Sequence, residues 1–289
     1  MPSLKDIKRR IRSVKNTQQI TKAMKMVSAS KLRKAQEAIL NARPFALNLR
    51  NLMNHLAARC NHDLHPLLND PEGNKIVLMI ITADKGLCGG FNSSIIRKAT
   101  KVIKENSDKE IELIVAGKKG WDIFKSRDTK IIHDYKGWTR KFDYLTAAEI
   151  GNYLAELFVG HDADEIFMVY NEFKSVMQQD VILERILPVV PEEIDSEESG
   201  GFVVDYIYEP DEESILGGLL KRYMTDQVYR AFLESLASEH GARMTAMDSA
   251  TRNAGDMIND LSLTYNKARQ AYITKELIEI VNGAEALQG

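Results

Sequence analysis

The C-terminal part of the chain carries its longest uninterrupted pattern of apolar and polar positions. From about Leu216 to Val281 the composition favours helix, and this stretch contains no proline. At ~1.5 Å per residue such a helix would be close to ~100 Å long, which is more than one compact core can bury. In its second half, apolar or small residues recur alternately three and four positions apart, at Leu233, Ala237, His240, Met244, Met247, Thr251, Ala254, Ile258, Leu261, Tyr265, Ala268 and Tyr272. This 3.5-residue repeat predicts one side of a left-handed coiled coil, which needs a partner helix.

The same repeat runs through the N-terminal segment from Leu4 to Cys60. Between residues 18 and 28 its positions become polar, while apolar side chains such as Ile20 and Val27 fall one step out of phase. Such a shift indicates a local change of supercoil or contact with a second partner. Pro44 lacks a backbone donor, so we expect the helix to bend or break there. Because the two repeats lie at opposite ends of the chain, we expect them to pair antiparallel, with a domain inserted between them.

The middle of the chain alternates strands and helices. The apolar run Ile76–Thr82 predicts a strand covered on both faces, followed by a glycine-rich turn and a helix. Further strands are predicted at 111–116, near 131, at 165–170, at 181–190 and within 202–210, and further helices from 92, through 121–124 and at 146–158. This alternation indicates a Rossmann-like domain around a largely parallel sheet.

The predicted fold class is therefore α/β: a long antiparallel coiled coil of N- and C-terminal helices with an inserted Rossmann-like α/β domain. The three parts span residues 1–60, 75–208 and 211–282.

Charge is distributed unevenly along this plan. Residues 1–60 contain fourteen Lys and Arg against two acidic residues, a net charge of +12. Residues 216–289 carry −1 and residues 61–215 carry −13, which together give the total of −2. A basic arm is typical of nucleic-acid binders and membrane-surface helices, but also of a helix that faces water or an acidic partner protein. The sequence contains no apolar run long enough to span a membrane and no secretory signal at its start. Its two cysteines, Cys60 and Cys88, form no disulfide framework, which favours a reducing, cytoplasmic setting.

The most enzyme-like segment is the glycine-rich loop Asp84–Asn92, DKGLCGGFN. Such a loop can hold a phosphate at a helix N-terminus, but this one matches neither the P-loop nor the dinucleotide-binding spelling. We interpret it as a tight strand-to-helix connection that needs positive φ, with Asn92 or Ser93 as the helix cap. The two histidines His62 and His65 with Asp63 could suggest a metal site, but no further ligand follows at a defined spacing, and no histidine is tied by a signature to Cys88. The sequence therefore predicts no catalytic, cofactor-binding or metal-ligating residues.

Two segments carry a family resemblance. KNTQQITKAMKMVSASKLRKAQ, residues 15–36, and SEHGARMTAMDSATRNAGDMINDLSLTYNKARQAYITKELIEIVNGA, residues 238–284, closely resemble the gamma subunits of rotary F-type ATP synthases. The loop DKGLCGGFN and the segment DYIYEPD resemble that family too, and the likeness covers essentially the whole chain in the family's order. It implies a central shaft within a ring of alpha and beta subunits, with the α/β domain at the foot of the shaft by a proton-driven c-ring.

The resemblance also implies partner contacts at particular positions. The residues implied to contact beta subunits are Lys22, Met24, Lys25, Arg269, Gln270 and Thr274. The last three also lie on the final turns of a helix too long for its partner, which makes them candidates for contact independently. The residues implied to contact the c-ring and the epsilon subunit are Tyr206, Tyr208 and Glu209.

The implied function is that of a non-catalytic rotor subunit that couples c-ring rotation to ATP synthesis or hydrolysis, needs no cofactor and binds no nucleic acid. Its implied location is peripheral, on the cytoplasmic face of a bacterial plasma membrane, with membrane association only through the complex. Two alternatives remain open from the residues alone: a nucleotide-binding α/β enzyme that uses Gly86–Gly90, and a basic coiled-coil scaffold for nucleic acid.

Overall fold

The structure, a computed structural model, describes residues 3–57, 65–69, 73–127, 129–140, 142–189 and 212–286. Its helices are α1 (Leu4–Ala57), α2 (Phe91–Glu105), α3 (Lys118–Phe124), α4 (Tyr144–Val159) and α5 (Glu212–Ala286), with short 3₁₀ helices at Pro66–Leu68 and Trp138–Arg140. Its strands are β1 (Lys75–Ile81), β2 (Glu110–Ala116), β3 (Lys130–Tyr135), β4 (Glu165–Phe173) and β5 (Gln179–Leu187). The strand predicted at 202–210 and Cys60 lie outside the described residues.

Contacts divide the chain into two compact units. One combines Met1–Ser28 with Met244–Gly289, and the other is Ala29–Arg243, so α1 and α5 each contribute to both units. Pro44 lies inside the continuous helix α1, so of the two effects expected there, a bend or a break, the break does not occur.

Unit 2 is built on a five-stranded sheet with the order β3-β2-β1-β4-β5. The pairs β1–β2, β1–β4 and β2–β3 are parallel, and β5 alone among the described strands runs antiparallel to its neighbour β4. The predicted largely parallel sheet is confirmed.

The central strand β1 shows why the sheet is covered on both faces. Val77 and Met79 pack into a core with α4 and the early part of α5, whereas Leu78 and Ile80 pack into a second core with α2 and α3. All four side chains are fully buried. Successive strand residues point to opposite faces, so a continuously apolar run is what a strand between two helical layers requires.

Helix α4 packs unusually closely on α5. A Cβ added at Gly151, in the middle of α4, would lie 3.3 Å from the backbone N and Cα of Thr225 on α5. The α4 N-terminus is fixed by Asp143, whose carboxylate accepts a hydrogen bond from the backbone N–H of Thr146 at 2.9 Å. A glycine in a helix interior costs up to ~1 kcal/mol of stability relative to alanine. Here that cost is offset, because the missing side chain lets the backbones of α4 and α5 approach each other closely.

In both units the predicted coiled-coil repeat matches burial. In unit 2, Leu32 and Ala35 of α1 form a buried cluster with Ala237 of α5. In unit 1, Met247 and Ala254 are buried, and the intervening and following repeat positions as far as residue 268 are buried or half-buried. The 3.5-residue pattern therefore identified the buried side of both helices.

The glycine at the α4–α5 contact gives a stability prediction. Gly151→Leu is expected to destabilise unit 2 by ~1–3 kcal/mol, because the new side chain meets the α5 backbone. Gly218→Leu is the matched control: a Cβ at this exposed α5 position meets nothing within 4 Å, so only the better helix propensity remains, a gain of up to ~1 kcal/mol. Urea unfolding of the two variants measures both effects, and equal changes would contradict the packing argument.

Candidate functional site

The pairing of α1 with α5 in unit 1 is polar at its centre. The hydroxyl oxygens of Thr21 and Thr251 are 2.7 Å apart, and Gln18 Nε2 donates to the Thr251 carbonyl oxygen at 3.3 Å. The Lys25 ammonium contacts Asp248 Oδ1 at 2.6 Å, and this hydrogen bond lowers the pKa of the Asp248 carboxyl. As the position on α1 advances from 21 to 25, its partner on α5 recedes from 251 to 248, so the helices run antiparallel. Polar groups at repeat positions fix register more than they add stability.

The outward surface of the same α1 segment is apolar. Ile20, Met26 and Val27 are 58–61% exposed, whereas Thr21 and Ser28 are buried in the seam, the contact surface between α1 and α5. This is the reverse of the usual arrangement, in which apolar residues face the partner helix and polar residues face water. A cluster of exposed apolar side chains is typical of a surface that another protein covers.

The three N-terminal residues predicted to contact beta subunits have different surroundings. Lys22 is exposed and Met24 is half-buried. Lys25 is also half-buried, and its charge is already paired with Asp248 inside the chain. Lys22 is therefore the residue of this group whose charge is most accessible to another molecule.

No helix among the described residues of unit 1 covers the end of α5. From Arg269 to residue 283 every side chain is exposed. The side chains of Arg269, Gln270 and Thr274 make no hydrogen bond or ion pair with another described residue. Large apolar side chains 47–67% exposed lie on the same stretch, at Tyr272, Ile273, Leu277, Ile278, Ile280 and Val281. The excess length inferred from the sequence is thus present, and it carries both polar and apolar groups. The predicted contacts Tyr206, Tyr208 and Glu209 lie outside the described residues.

The glycine-rich loop after β1 is a tight connection, as interpreted from the sequence. Leu87 and Gly89 have positive φ, 63° and 56°. The expected cap is wrong: α2 begins after Gly90, which makes no side-chain cap. Asn92 instead accepts a hydrogen bond from the backbone N–H of Ala83 at 2.9 Å. A side chain that reaches back to the end of the strand is a tertiary contact, which a local capping rule does not anticipate.

Asp84, at the start of the glycine-rich loop, binds donors of two neighbouring segments. Its carboxylate accepts hydrogen bonds from the backbone N–H of Lys118 at 3.1 Å and of Gly137 at 2.8 Å, and from the hydroxyl of Thr139 at 2.7 Å. Backbone donors at strand and helix ends attract anions. Here the chain supplies its own anion, so these donors are already used.

A buried charged pair joins α5 to this loop. Arg243 Nη1 contacts Glu239 Oε1 at 2.7 Å, and Arg243 Nη2 donates to the carbonyl oxygens of Lys85 and Gly86 at 3.4 and 3.3 Å. Both charged side chains are at least nine-tenths buried. Burial raises the pKa of the Glu239 carboxyl and, with Arg243 and Lys31 nearby, lowers the pKa of His240 to about 4. The only sequence signal for this contact was the four-residue spacing of Glu239 and Arg243, which alone does not name the loop as their partner.

Groups that could do chemistry are few in the part of the chain that the structure describes. No cluster of three His, Cys, Asp or Glu side chains there could hold a metal ion. Cys88 is buried, and burial raises the pKa of its thiol, which disfavours the nucleophilic thiolate. Among the described helices, none combines the length and the apolar character that crossing a bilayer demands.

The environment of His240 gives a prediction about pH. Between the ordinary pKa of 6.5 and about 4, the unfolded chain binds a proton on this histidine and the folded chain does not, so stability falls as pH falls through this window. From pH 7 to pH 5 the wild type should lose about 2 kcal/mol more unfolding free energy than His240→Gln. Urea unfolding at the two pH values measures this difference. His133→Gln, at an exposed position, is the control and should retain the wild-type pH dependence; identical slopes for wild type and His240→Gln would contradict the argument.

Comparison with known proteins identifies the family. The family described as "ATP synthase" matches residues 3–287. The ATP synthase gamma chain of Geobacter metallireducens is 48% identical over 291 positions, and that of Pelotomaculum thermopropionicum is 47% identical over 288 positions, each match covering 100% of both chains.

Solved structures agree. A chain of the Tetrahymena thermophila mitochondrial ATP synthase central stalk and c-ring matches with a TM-score of 0.61 at 27% identity, over 80% of this chain and 99% of that one. A chain of the Euglena gracilis mitochondrial ATP synthase, in rotational state 3, matches with a TM-score of 0.71 over 98% of this chain and 94% of that one. At 21% identity the second match shows the fold. Because the family match spans residues 3–287 and full-length relatives share 47–48% of their residues with it, this chain belongs to the ATP synthase gamma chain family.

Proposed function

We propose that this chain is the central rotor shaft of a proton-driven F-type ATP synthase. It couples rotation of the c-ring to conformational changes in the ring of alpha and beta subunits, and it is itself non-catalytic. The observation that carries the proposal is the end of α5, where residues 269–283 are exposed on every side and rich in large apolar groups. A helix of this kind is stable in water only when other proteins surround it.

The shaft acts by presenting different side chains to each beta subunit. An asymmetric shaft stabilises a different open or closed state at each catalytic site, and it can do so only by the difference in contact free energy between the states. Shifting such an equilibrium from 1:99 to 99:1 takes about 5.5 kcal/mol. Rotation exchanges these preferences among the three sites and drives synthesis, and ATP hydrolysis drives the reverse.

Two surfaces supply the contacts with beta subunits. Arg269, Gln270 and Thr274 act at the end of α5, where no described residue competes for their hydrogen bonds. On α1, Lys22 and Met24 lie beside the exposed apolar residues Ile20 and Val27, so this surface combines a charge with apolar area. Lys25 acts through its pair with Asp248, because that ion pair fixes the position of the ammonium group.

The remaining contacts belong to the α/β domain, residues 75–208. We assign Tyr206, Tyr208 and Glu209 to the c-ring and the epsilon subunit, on the strength of the family resemblance of DYIYEPD. The segments 1–60 and 211–282 form the coiled-coil parts. A non-catalytic role is supported by Cys88, whose thiol is buried and has a raised pKa that disfavours the nucleophilic thiolate.

The proposed location is the cytoplasmic face of a bacterial plasma membrane, peripheral and held there by the complex. The gamma chains of Geobacter metallireducens and Pelotomaculum thermopropionicum, both similar along their full length, support a bacterial setting.

Co-purification tests the proposal directly. Co-expressed with alpha and beta subunits of its own organism, the chain should purify in one complex at about one copy to three of each, because one asymmetric shaft fills a ring of six. Native mass spectrometry of the purified complex gives the ratio. An ATPase-active ring that never retains the chain would overturn the proposal.

The polar residues near the end of α5 give a second prediction. Arg269→Ala combined with Gln270→Ala should leave the unfolding free energy of the isolated chain within ~0.5 kcal/mol, because both side chains are exposed and lack partners among the described residues. In the assembled complex the same change removes contacts of about 2 kcal/mol, which corresponds to a roughly tenfold or greater loss of ATP-driven proton pumping.

Pumping by reconstituted vesicles and unfolding of the free chain are measured side by side. Met177→Ala, at an 80% exposed residue in the turn after β4, serves as the control and should change neither quantity. A double variant that pumps normally would remove these residues from the proposed contact.

A further inference from the structure

A cavity of about 620 Å³ lies within unit 2, where the chain leaves the first three strands of the sheet. The segments after β1, β2 and β3 form part of its wall, and one turn of α1 and one of α5 complete it. Its lining residues are Lys31, Asp84, Lys85, Lys118, Lys136, Gly137, Thr139, Arg140, Glu239, His240 and Arg243. The carboxyl edge of parallel strands is the usual place for a ligand in an open α/β sheet.

The charge of this cavity is strongly positive. Six of its lining residues are Lys or Arg, and two are acidic. Six positive and two negative charges leave the lining with a formal charge of +4, and one of the two acids, Glu239, is paired with Arg243. Lys136 has a partner outside the cavity lining, Asp134, at 3.0 Å.

Four cations of the lining form no ion pair among the described residues. Lys31, Lys85, Lys118 and Arg140 make no ion pair with any other residue that the structure describes, and all four are exposed. They come from four different segments, so folding brings them together although nothing in the local sequence does. Like charges around one cavity repel, and the repulsion is relieved when an anion of several charges enters.

We infer that this cavity binds a small polyphosphate anion. Three of the four unpaired cations are lysines, whose compact ammonium groups suit the tetrahedral oxygens of phosphates, whereas planar carboxylates are matched best by arginine forks. A triphosphate carries about four charges in a volume that a cavity of this size accommodates. The ligand is held by side chains from separate segments, because the backbone N–H groups of Lys118 and Gly137 at this edge are already bonded to Asp84.

The two tryptophans of the chain report on this cavity. The Lys136 ammonium, part of the lining, lies 3.6 Å from the ring centroid of Trp121. Trp138 sits between the lining residues Gly137 and Thr139, and its indole N–H donates to the Thr82 carbonyl oxygen at 2.9 Å. Because the sequence contains no other tryptophan, fluorescence excited at wavelengths that its tyrosines do not absorb comes from these two rings. An anion that moves the nearby cations should change that fluorescence.

The test is a fluorescence titration of the full chain with inorganic triphosphate at about 0.1 M salt, where long-range charge attraction is screened. We expect a saturable change with a dissociation constant in the micromolar range. Lys31→Met combined with Lys118→Met should weaken binding at least about tenfold. Lys104→Met, which removes an exposed lysine of α2 away from the cavity lining, should change it less than about twofold. Circular dichroism establishes that each variant is folded, and the single variant Lys118→Met replaces the double one if that fails to fold.

Three outcomes would overturn the inference. One is the absence of a saturable change, and another is equal weakening in Lys104→Met, which would mean attraction by overall charge only. The third is competition by an oligoglutamate peptide without binding of triphosphate, which would make the cavity a contact for an acidic protein segment. None of these results bears on assembly with alpha and beta subunits, so failure here and failure of the proposed function are distinguishable.

Discussion

The seam between α1 and α5 is the constraint on which the rest of the structure depends. Neither helix can bury its repeat positions alone, and in each unit one supplies the surface that the other needs. In the sequence, the other described elements all lie between the two helices. The core between the sheet and α4 includes side chains of both long helices, such as Met53 and Phe232, packed with the central strand β1. The domain and the helical pair therefore depend on a single set of contacts in unit 2.

Within unit 1 the seam gives up hydrophobic stabilisation and gains defined register. A buried threonine contributes less than the ~1.5–3 kcal/mol of a buried aliphatic side chain, but the Thr21–Thr251 contact is satisfied at one alignment only. The apolar side chains that could have strengthened the seam, Ile20 and Val27, are directed outward. This exchange makes sense for a helical pair whose outer surface is also an interface, because stability is then shared between the seam and the partner proteins.

Local patterns in the sequence were sufficient for most of the fold. The apolar run of β1 and the three-four repeat of both long helices depend on periodicities that each residue expresses with its neighbours, and the structure confirms them. The contacts of Asp84 and Arg243 were not predictable, because their partners are 34 to 158 residues away and include backbone atoms that any residue could supply. The error at Asn92 has a related cause: its residue type suits a cap, but its side chain accepts a hydrogen bond from the backbone N–H of Ala83, 9 residues earlier. Exposure of the α5 end could be anticipated from helix length alone, since length requires no knowledge of partners.

Asp84 has a mechanical consequence. Its one carboxylate is bonded to the segments that follow the second and third strands, while its own backbone continues the first. The ends of three strands are thus linked through one side chain. The next residues, Lys85 and Gly86, accept hydrogen bonds from Arg243 of α5. A twisting load entering through α5 would be divided among three strands in the middle of a sheet and not concentrated on one flexible loop. In a rotating subunit, such a joint would let the sheet turn with its helix with little lag.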